Sequence, residues 1–289
     1  MKKVLVITGP TASGKTKSAI ELAEKLDGEI INCDSLQVYN ELKTLTAFPS
    51  ENELSRVPHK LFGYLNYDER ISAVNWAKVA AEQIESAFSR GKQPIIAGGT
   101  GMYLNVLVNG ISPIPDIDAS NRDEANKLAS TDFDSLCSIL YELDPELRIS
   151  LPKEKHRQLI RAYEVFLQTG KSIREFQNQP RIKFIENVDF DITVQNCERD
   201  VLYQRIEMRF EKMLQEGAID EVRSLLEKIG MSDRSKLFAE FPIFNAIGAK
   251  EITKYLDGEL SFEEMKNRAI INSKHYAKRQ ITWFKHQIK

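Results

Sequence analysis

Apolar residues follow two rhythms along this chain. Val4 to Ile7, Glu29 to Asn32 and Pro94 to Ala97 have the length of buried strands. Between them, from Thr16 to Leu26 and from Ala73 to Arg90, apolar positions return at helical spacing. In the first of these helices Ala19, Leu22, Ala23 and Leu26 share one face, and Gly28 is placed to stop it. The order strand, helix, strand, helix, strand predicts a parallel sheet with helices packed on it. In such sheets the working residues gather beyond the carboxyl ends of the strands. There the chain carries Gly9 to Thr16, Cys33-Asp34-Ser35 and Gly98-Gly99-Thr100-Gly101, so one convergent site is expected.

After Pro113-Ile114-Pro115 the pattern turns helical and charge-rich as far as about Phe184. That is too long for a loop and reads as an inserted helical subdomain. Strand-like Phe190 to Val194 returns to the sheet. A helix then runs from about Arg199 to Gln215, with Leu202, Ile206, Phe210 and Met213 or Leu214 on its core face and Arg205 and Arg209 on another. A last helix opens with Ser261 and Glu264 at capping-box spacing. No repeat or low-complexity tract interrupts this order.

Gly9, Pro10, Thr11, Ala12, Ser13, Gly14, Lys15 and Thr16 match G-x-x-x-x-G-K-[ST] in full, directly after a strand and at the start of a helix. Such a loop points backbone N–H groups and a helix N-terminus at phosphate oxygens. A plain glycine turn would explain Gly9 and Gly14 but leave Lys15 and Thr16 without a task. The fold class is therefore α/β, a P-loop parallel-sheet core with an inserted all-helical subdomain. The expected divisions are 1–112 and 186–289 for the core and 113–185 for the insertion.

With 289 residues, 42% hydrophobic and 28% charged, the composition is that of an ordinary globule. No apolar stretch approaches a membrane span, and the N-terminus runs straight into the first strand, so a cytoplasmic protein is expected. Cys33, Cys137 and Cys197 are too few and too scattered for a disulfide framework or thiolate metal site, and the four histidines lack paired-ligand spacing. Net charge is −2, yet from Lys266 to Lys289 the chain carries seven Lys and Arg and no acid. A second basic cluster is Lys153, Lys155, His156, Arg157 and Arg161. Either could be a solvated helix face, but two beside a phosphate loop favour a polyanionic partner.

The P-loop, the segment Ile31-Asn32-Cys33-Asp34-Ser35-Leu36-Gln37-Val38-Tyr39 and the segment from Ala97 to Leu104 together closely resemble the tRNA dimethylallyltransferases. The match continues through Arg161 to Val165, Thr169-Gly170-Lys171, Arg205 to Phe210 and Ala277 to Phe284, almost the whole chain. The resemblance implies transfer of a dimethylallyl group from its diphosphate to the exocyclic amine of the adenosine 3′ of the anticodon. Its partners would be tRNA and dimethylallyl diphosphate, with no membrane, and the protein a monomer. A P-loop can hold a diphosphate leaving group, with Lys15 and a Mg2+ ion on Thr16 neutralising its growing charge.

By the same resemblance Asp34 is the base that accepts the amine proton, although a capping or metal-ligating aspartate would also fit there. Thr100 and Arg209 match positions that line the reaction channel and contact the donor diphosphate. Arg209 could instead pair with Glu211 or Glu216. Ser35, Leu36 and Gln37, with Asp34 and Thr100, stand where the family holds the target nucleotide. Arg122, Arg157 and Arg161 stand where its inserted domain grips the anticodon stem, and Lys278 and Arg279 are further candidates for tRNA phosphates; salt-bridged helix positions are the alternative. One departure is Leu45-Thr46-Ala47-Phe48-Pro49, where the family usually has Gly-Thr-Ala-Lys-Pro.

Two rivals remain at this level. An isopentenyltransferase acting on free adenine nucleotides would share the P-loop and base but need neither the insertion nor the basic terminal helix. A small-molecule kinase would share only the P-loop.

Overall fold

The computed structural model describes all residues except Met1, Ser232, Ser235, Ile288 and Lys289, so Lys289 of the terminal basic run lies outside the described residues. The chain divides into two compact units. One joins the residues up to Val108 with those from Phe184 onward, and the other is 109–183.

In the first unit, β1 (Lys2–Thr8), α1 (Lys15–Leu26), β2 (Gly28–Asn32), α2 (Glu51–Arg56), β3 (His59–Lys60), α3 (Ala73–Ser89), β4 (Gln93–Gly98) and α4 (Gly101–Asn109) come first. In the second unit, α5 (Ala119–Thr131), α6 (Phe133–Leu143), α7 (Leu147–Ser150), α8 (His156–Thr169) and α9 (Ile173–Gln177) follow. The chain then returns with β5 (Val188–Val194), α10 (Arg199–Gln215), α11 (Ala218–Ile229), α12 (Leu237–Glu240), a short 3-10 turn at Pro242–Asn245, α13 (Ala249–Leu256) and α14 (Phe262–Gln287).

The five strands form one parallel sheet in the order β3-β2-β4-β1-β5. Because β4 returns between β2 and β1, the loops leaving these three strands emerge side by side. β2 is buried along its whole length, whereas the edge strand β5 alternates in exposure. Ile7, Ile30 and Ile95 from the sheet pack against Ala19, Ile20 and Ala23 of α1. The β2 and β4 ends meet so closely that a Cβ at Gly98 would lie 2.2 Å from the Cys33 carbonyl, and only glycine fits.

Gly28 does not stop α1. Asp27 takes the left-handed conformation, with φ 50°, and caps the helix by donating its N–H to the Ala23 carbonyl. Gly28 is already the first residue of β2. An aspartate tolerates that conformation better than most side chains, so the stop signal sits one residue earlier than expected.

α10 buries Leu202, Ile206, Phe210 and Met213, so Met213 rather than Leu214 completes its core face. Leu202 and Ile206 pack with Ala277 of α14. Ser261 and Glu264 form the expected reciprocal cap at the start of α14. Two of the basic residues on α14 are neutralised by α10, Lys266 by Glu211 and Lys274 by Glu207. The terminal run is therefore a less open basic surface than its sequence suggests.

The second unit is helical throughout and has its own core, with Leu136, Cys137, Leu140, Leu159, Ala162 and Val165 at its centre. Its two ends are tied by an antiparallel bridge. The Ile111 N–H reaches the Ile182 carbonyl at 3.0 Å, and the Ile182 N–H reaches the Ile111 carbonyl at 2.8 Å.

Candidate active site

The loop between β1 and α1 is shaped by its backbone. Ala12 and Gly14 both have positive φ, 62° and 93°. For an alanine that geometry is strained and persists only where the surroundings hold it. Gly14 caps α1 without a side-chain hydrogen bond, so the first N–H groups of the helix stay open to an anion. The Ser13 Oγ is buried with no partner among the described residues. An orphan donor in a phosphate loop is what a phosphate oxygen would satisfy.

Lys15 reaches back across this loop, its Nζ donating to the Pro10 carbonyl at 2.7 Å. Burial brings its ammonium down to about 8; Asp34 opposes that shift and the positive charge of Arg209 adds to it. Arg209, from α10, donates to the Thr11 Oγ1. Burial also pulls Arg209 down, again against Asp34. Its alternative partners are engaged elsewhere, Glu211 with Lys266 and Glu216 with Lys212. Lys15, Arg209 and Asp34 thus form one half-buried group of interacting charges, two cations to one carboxylate.

Asp34 is held by a residue whose task the sequence does not reveal. Asn32, fully buried at the end of β2, accepts the Asp34 N–H at 2.8 Å and donates to the Asp34 and Leu61 carbonyls, each at 3.0 Å. Trp76 of α3 donates to the Asn32 carbonyl at 3.1 Å and stacks on Tyr103 at 4.6 Å. The Asp34 Oδ1 accepts the Leu36 N–H at 3.0 Å, while its Oδ2 takes no hydrogen bond from a described residue. One carboxylate oxygen fixes the turn and the other is available.

The Thr100 hydroxyl accepts the Ser35 N–H at 2.9 Å and lies 3.3 Å from the Ser35 Oγ, so it fixes the turn that carries Asp34. The Gln37 amide donates to the Thr46 and Ala47 carbonyls at 3.0 and 2.8 Å. Its donor end therefore pins the loop that holds Phe48, and only its side-chain carbonyl remains for a ligand.

Thr11, Lys15, Thr16, Asp34, Arg209 and Tyr276 line one cleft of about 810 Å³. Burial, and then the charge of Asp34, push the Tyr276 phenol up, so it stays a hydroxyl and a donor. The cleft continues to Phe48, His59 and Phe62. Phe48 and Phe62 meet edge to face at 5.7 Å, and the Lys43 ammonium sits 5.2 Å from the Phe48 ring centre. A positive charge therefore stands beside Phe48 although position 48 itself has none.

Thr16 offers one hydroxyl to the cleft, and it takes part in no hydrogen bond with another described residue. Among the described residues no group of three or more His, Cys, Asp or Glu could hold a metal alone. A single hard oxygen beside a phosphate loop suits Mg2+, which keeps most of its shell as water and substrate phosphate.

In the second unit Arg122 and Arg157 are exposed, while Arg161 is paired with Glu164 at 2.8 Å. On α14, Lys278 and Arg279 are exposed, with the Arg279 guanidinium 5.7 Å from the Tyr276 ring centre. Gln195 and Gln280 join Asn32 as residues whose roles are not visible in the sequence. Gln195 donates its N–H to the Thr8 carbonyl at 2.7 Å and its side-chain amide to Ser18. Gln280 bridges the P-loop and Gly99, the residue that follows β4.

Fold and cleft define an α/β P-loop protein whose loop lies beside a positioned carboxylate and a half-buried arginine. Residues 37–287 match the family model described as IPP transferase. The chain is 42% identical over 289 residues to a tRNA dimethylallyltransferase of Rickettsia felis, covering 99% of this chain and 91% of the relative. It is 40% identical to that of Hyphomonas neptunium, covering 99% and 89%. Among solved structures, a tRNA isopentenylpyrophosphate transferase of Staphylococcus epidermidis aligns with TM-score 0.68 and 32% identity, over 100% of this chain and 92% of the other. A eukaryotic dimethylallyltransferase acting on tRNA aligns with TM-score 0.83 and 30% identity, over 98% and 70%. The chain belongs to the IPP transferase family.

Proposed function

We propose that this protein is a tRNA dimethylallyltransferase, moving the dimethylallyl group of dimethylallyl diphosphate onto the exocyclic amine of the adenosine 3′ of the anticodon. The observation that carries this reading is the arrangement of Asp34. Its free Oδ2 lies in the same cleft as a P-loop, Lys15 and Arg209, so an anion and a proton acceptor share one small space.

The amine nitrogen attacks the carbon that bears the diphosphate. The carbon–oxygen bond breaks with its electron pair leaving on diphosphate, and the amine proton passes to Asp34. Lys15, Arg209 and the open N–H groups of α1 stabilise the charge that grows on the leaving oxygen. Mg2+, held through the Thr16 hydroxyl, would supply further neutralisation of the diphosphate. Thr100 and Ser35 keep Asp34 in register, and the Gln37 carbonyl is left to meet the flipped adenine.

The helical unit gives Arg122 and Arg157 as free cations for the anticodon stem, and α14 gives Lys278 and Arg279. Arg161, already paired, contributes less. All three cysteines are free thiols, which fits the reducing cytoplasm.

The test is Asp34→Asn. It keeps the shape and the Leu36 bond but removes the proton acceptor. Binding of donor and tRNA should persist while the single-turnover rate falls by about 10² to 10⁴. A near-normal rate would remove Asp34 from this role.

A further inference from the structure

Gln280, on the buried face of α14, is 6% exposed and has both ends of its amide occupied. Its Oε1 accepts the Thr11 N–H at 2.8 Å, and its Nε2 donates to the Gly99 carbonyl at 2.9 Å. The chemistry fixes this orientation, because a peptide N–H can only donate and a carbonyl can only accept. Gly99 is shaped to receive it. A Cβ there would fall 2.4 Å from the Gln280 Nε2.

We propose that Gln280 is a positioning residue for the donor diphosphate, acting through the P-loop; this rests on the functional reading above. Thr11 immediately precedes Ala12, the loop residue in the strained left-handed conformation. Such a residue keeps its geometry only when its neighbours over-determine it. Thr11 is held at two points, its N–H by Gln280 from α14 and its Oγ1 by Arg209 from α10. Those two bonds fix the peptide from which the open N–H groups of the loop and of α1 take their direction. Gln280 touches no reacting atom itself. Without it the Thr11 N–H is free to turn, Ala12 relaxes, and the donors that should converge on phosphate diverge.

Gln280→Met keeps the volume and removes both bonds. In that variant the affinity for inorganic diphosphate and the KM for dimethylallyl diphosphate should both worsen about tenfold, the equivalent of one net hydrogen bond, while tRNA affinity stays within about twofold. Gly99→Ala should reproduce the effect by pushing the amide away. In a Gln280→Ala background the same Gly99→Ala change should add little, because the clash is gone; that non-additivity is a coupling that mere packing would not show.

Unchanged diphosphate affinity in a folded Gln280→Met protein overturns the proposal. So does a fall matched by equal losses in tRNA affinity and melting temperature, which would assign Gln280 to folding. If Gln280→Met does not fold, Gly99→Ala decides alone: normal diphosphate affinity overturns the proposal and a tenfold loss supports it. A wild-type protein that binds no inorganic diphosphate overturns the functional reading itself, an outcome separate from a failure confined to the variants.

Discussion

Lys15 carries two opposite pH dependences. Its ammonium is brought down to about 8 by burial, from an ordinary 10.5. As pH rises through about 8 the folded protein loses this charge, so donor affinity should weaken, and Lys15→Ala should bind weakly with that dependence removed. Stability moves the other way. Between about 8 and 10.5 the unfolded chain holds the proton more tightly than the folded one, so the ligand-free protein gains stability across that window. Titrating donor affinity and melting temperature over the same pH range in wild type and Lys15→Ala checks both signs. Curves that rise or fall together would contradict the burial of Lys15.

Among the elements, the carboxyl end of β2 is tied through one buried side chain, that of Asn32. Asn32 serves three backbone groups from a fully buried position, so Asn32→Leu leaves three polar groups without that partner at about 1 to 3 kcal/mol each. Denaturant unfolding should show a loss of about 3 kcal/mol or more, and turnover should fall with it because Asp34 loses its hold. A variant as stable as wild type would mean that the turn is fixed by Thr100 and Leu36 alone.

This is also the level at which sequence and structure part. β1, α1, β2, α3, β4, α10 and α14 are legible because apolar spacing and caps are local signals. β3 is two residues long and carries no pattern, and the stop of α1 falls on Asp27 rather than Gly28. Of the site, Lys15, Thr16, Asp34 and Arg209 are legible as motif positions that meet in one cleft. The tasks of Asn32, Gln195 and Gln280 are not: Asn32 and Gln280 lie in segments that carry the resemblance, but nothing in the pattern says which backbone groups their side chains meet. The Gln280 bond to Thr11 spans 269 positions, and no periodicity or spacing announces such a pair.

For the molecule as a whole, the exposed cations are the proposed hold on RNA. Arg122, Arg157, Lys278 and Arg279 are exposed, whereas Arg161, Lys266 and Lys274 are already in ion pairs. Removing one exposed cation that contacts phosphate should flatten the salt dependence of tRNA binding by a log–log slope of about 0.7 to 0.9. Arg161→Ala should change it less. Affinities at several salt concentrations, with melting temperatures alongside, separate recognition from folding. A large slope change for Arg161 with none for Arg157 or Arg279 would reverse this assignment.

The chemistry itself is read most directly with labelled dimethylallyl diphosphate and four acceptors: an unmodified tRNA with adenosine 3′ of its anticodon, the same tRNA with guanosine there, AMP and ATP. Label should enter only the first RNA, and digestion should find it on the exocyclic amine of that one adenosine, with diphosphate released in equal amount. Label on AMP or ATP, or equal labelling of both RNAs, would contradict a tRNA dimethylallyltransferase.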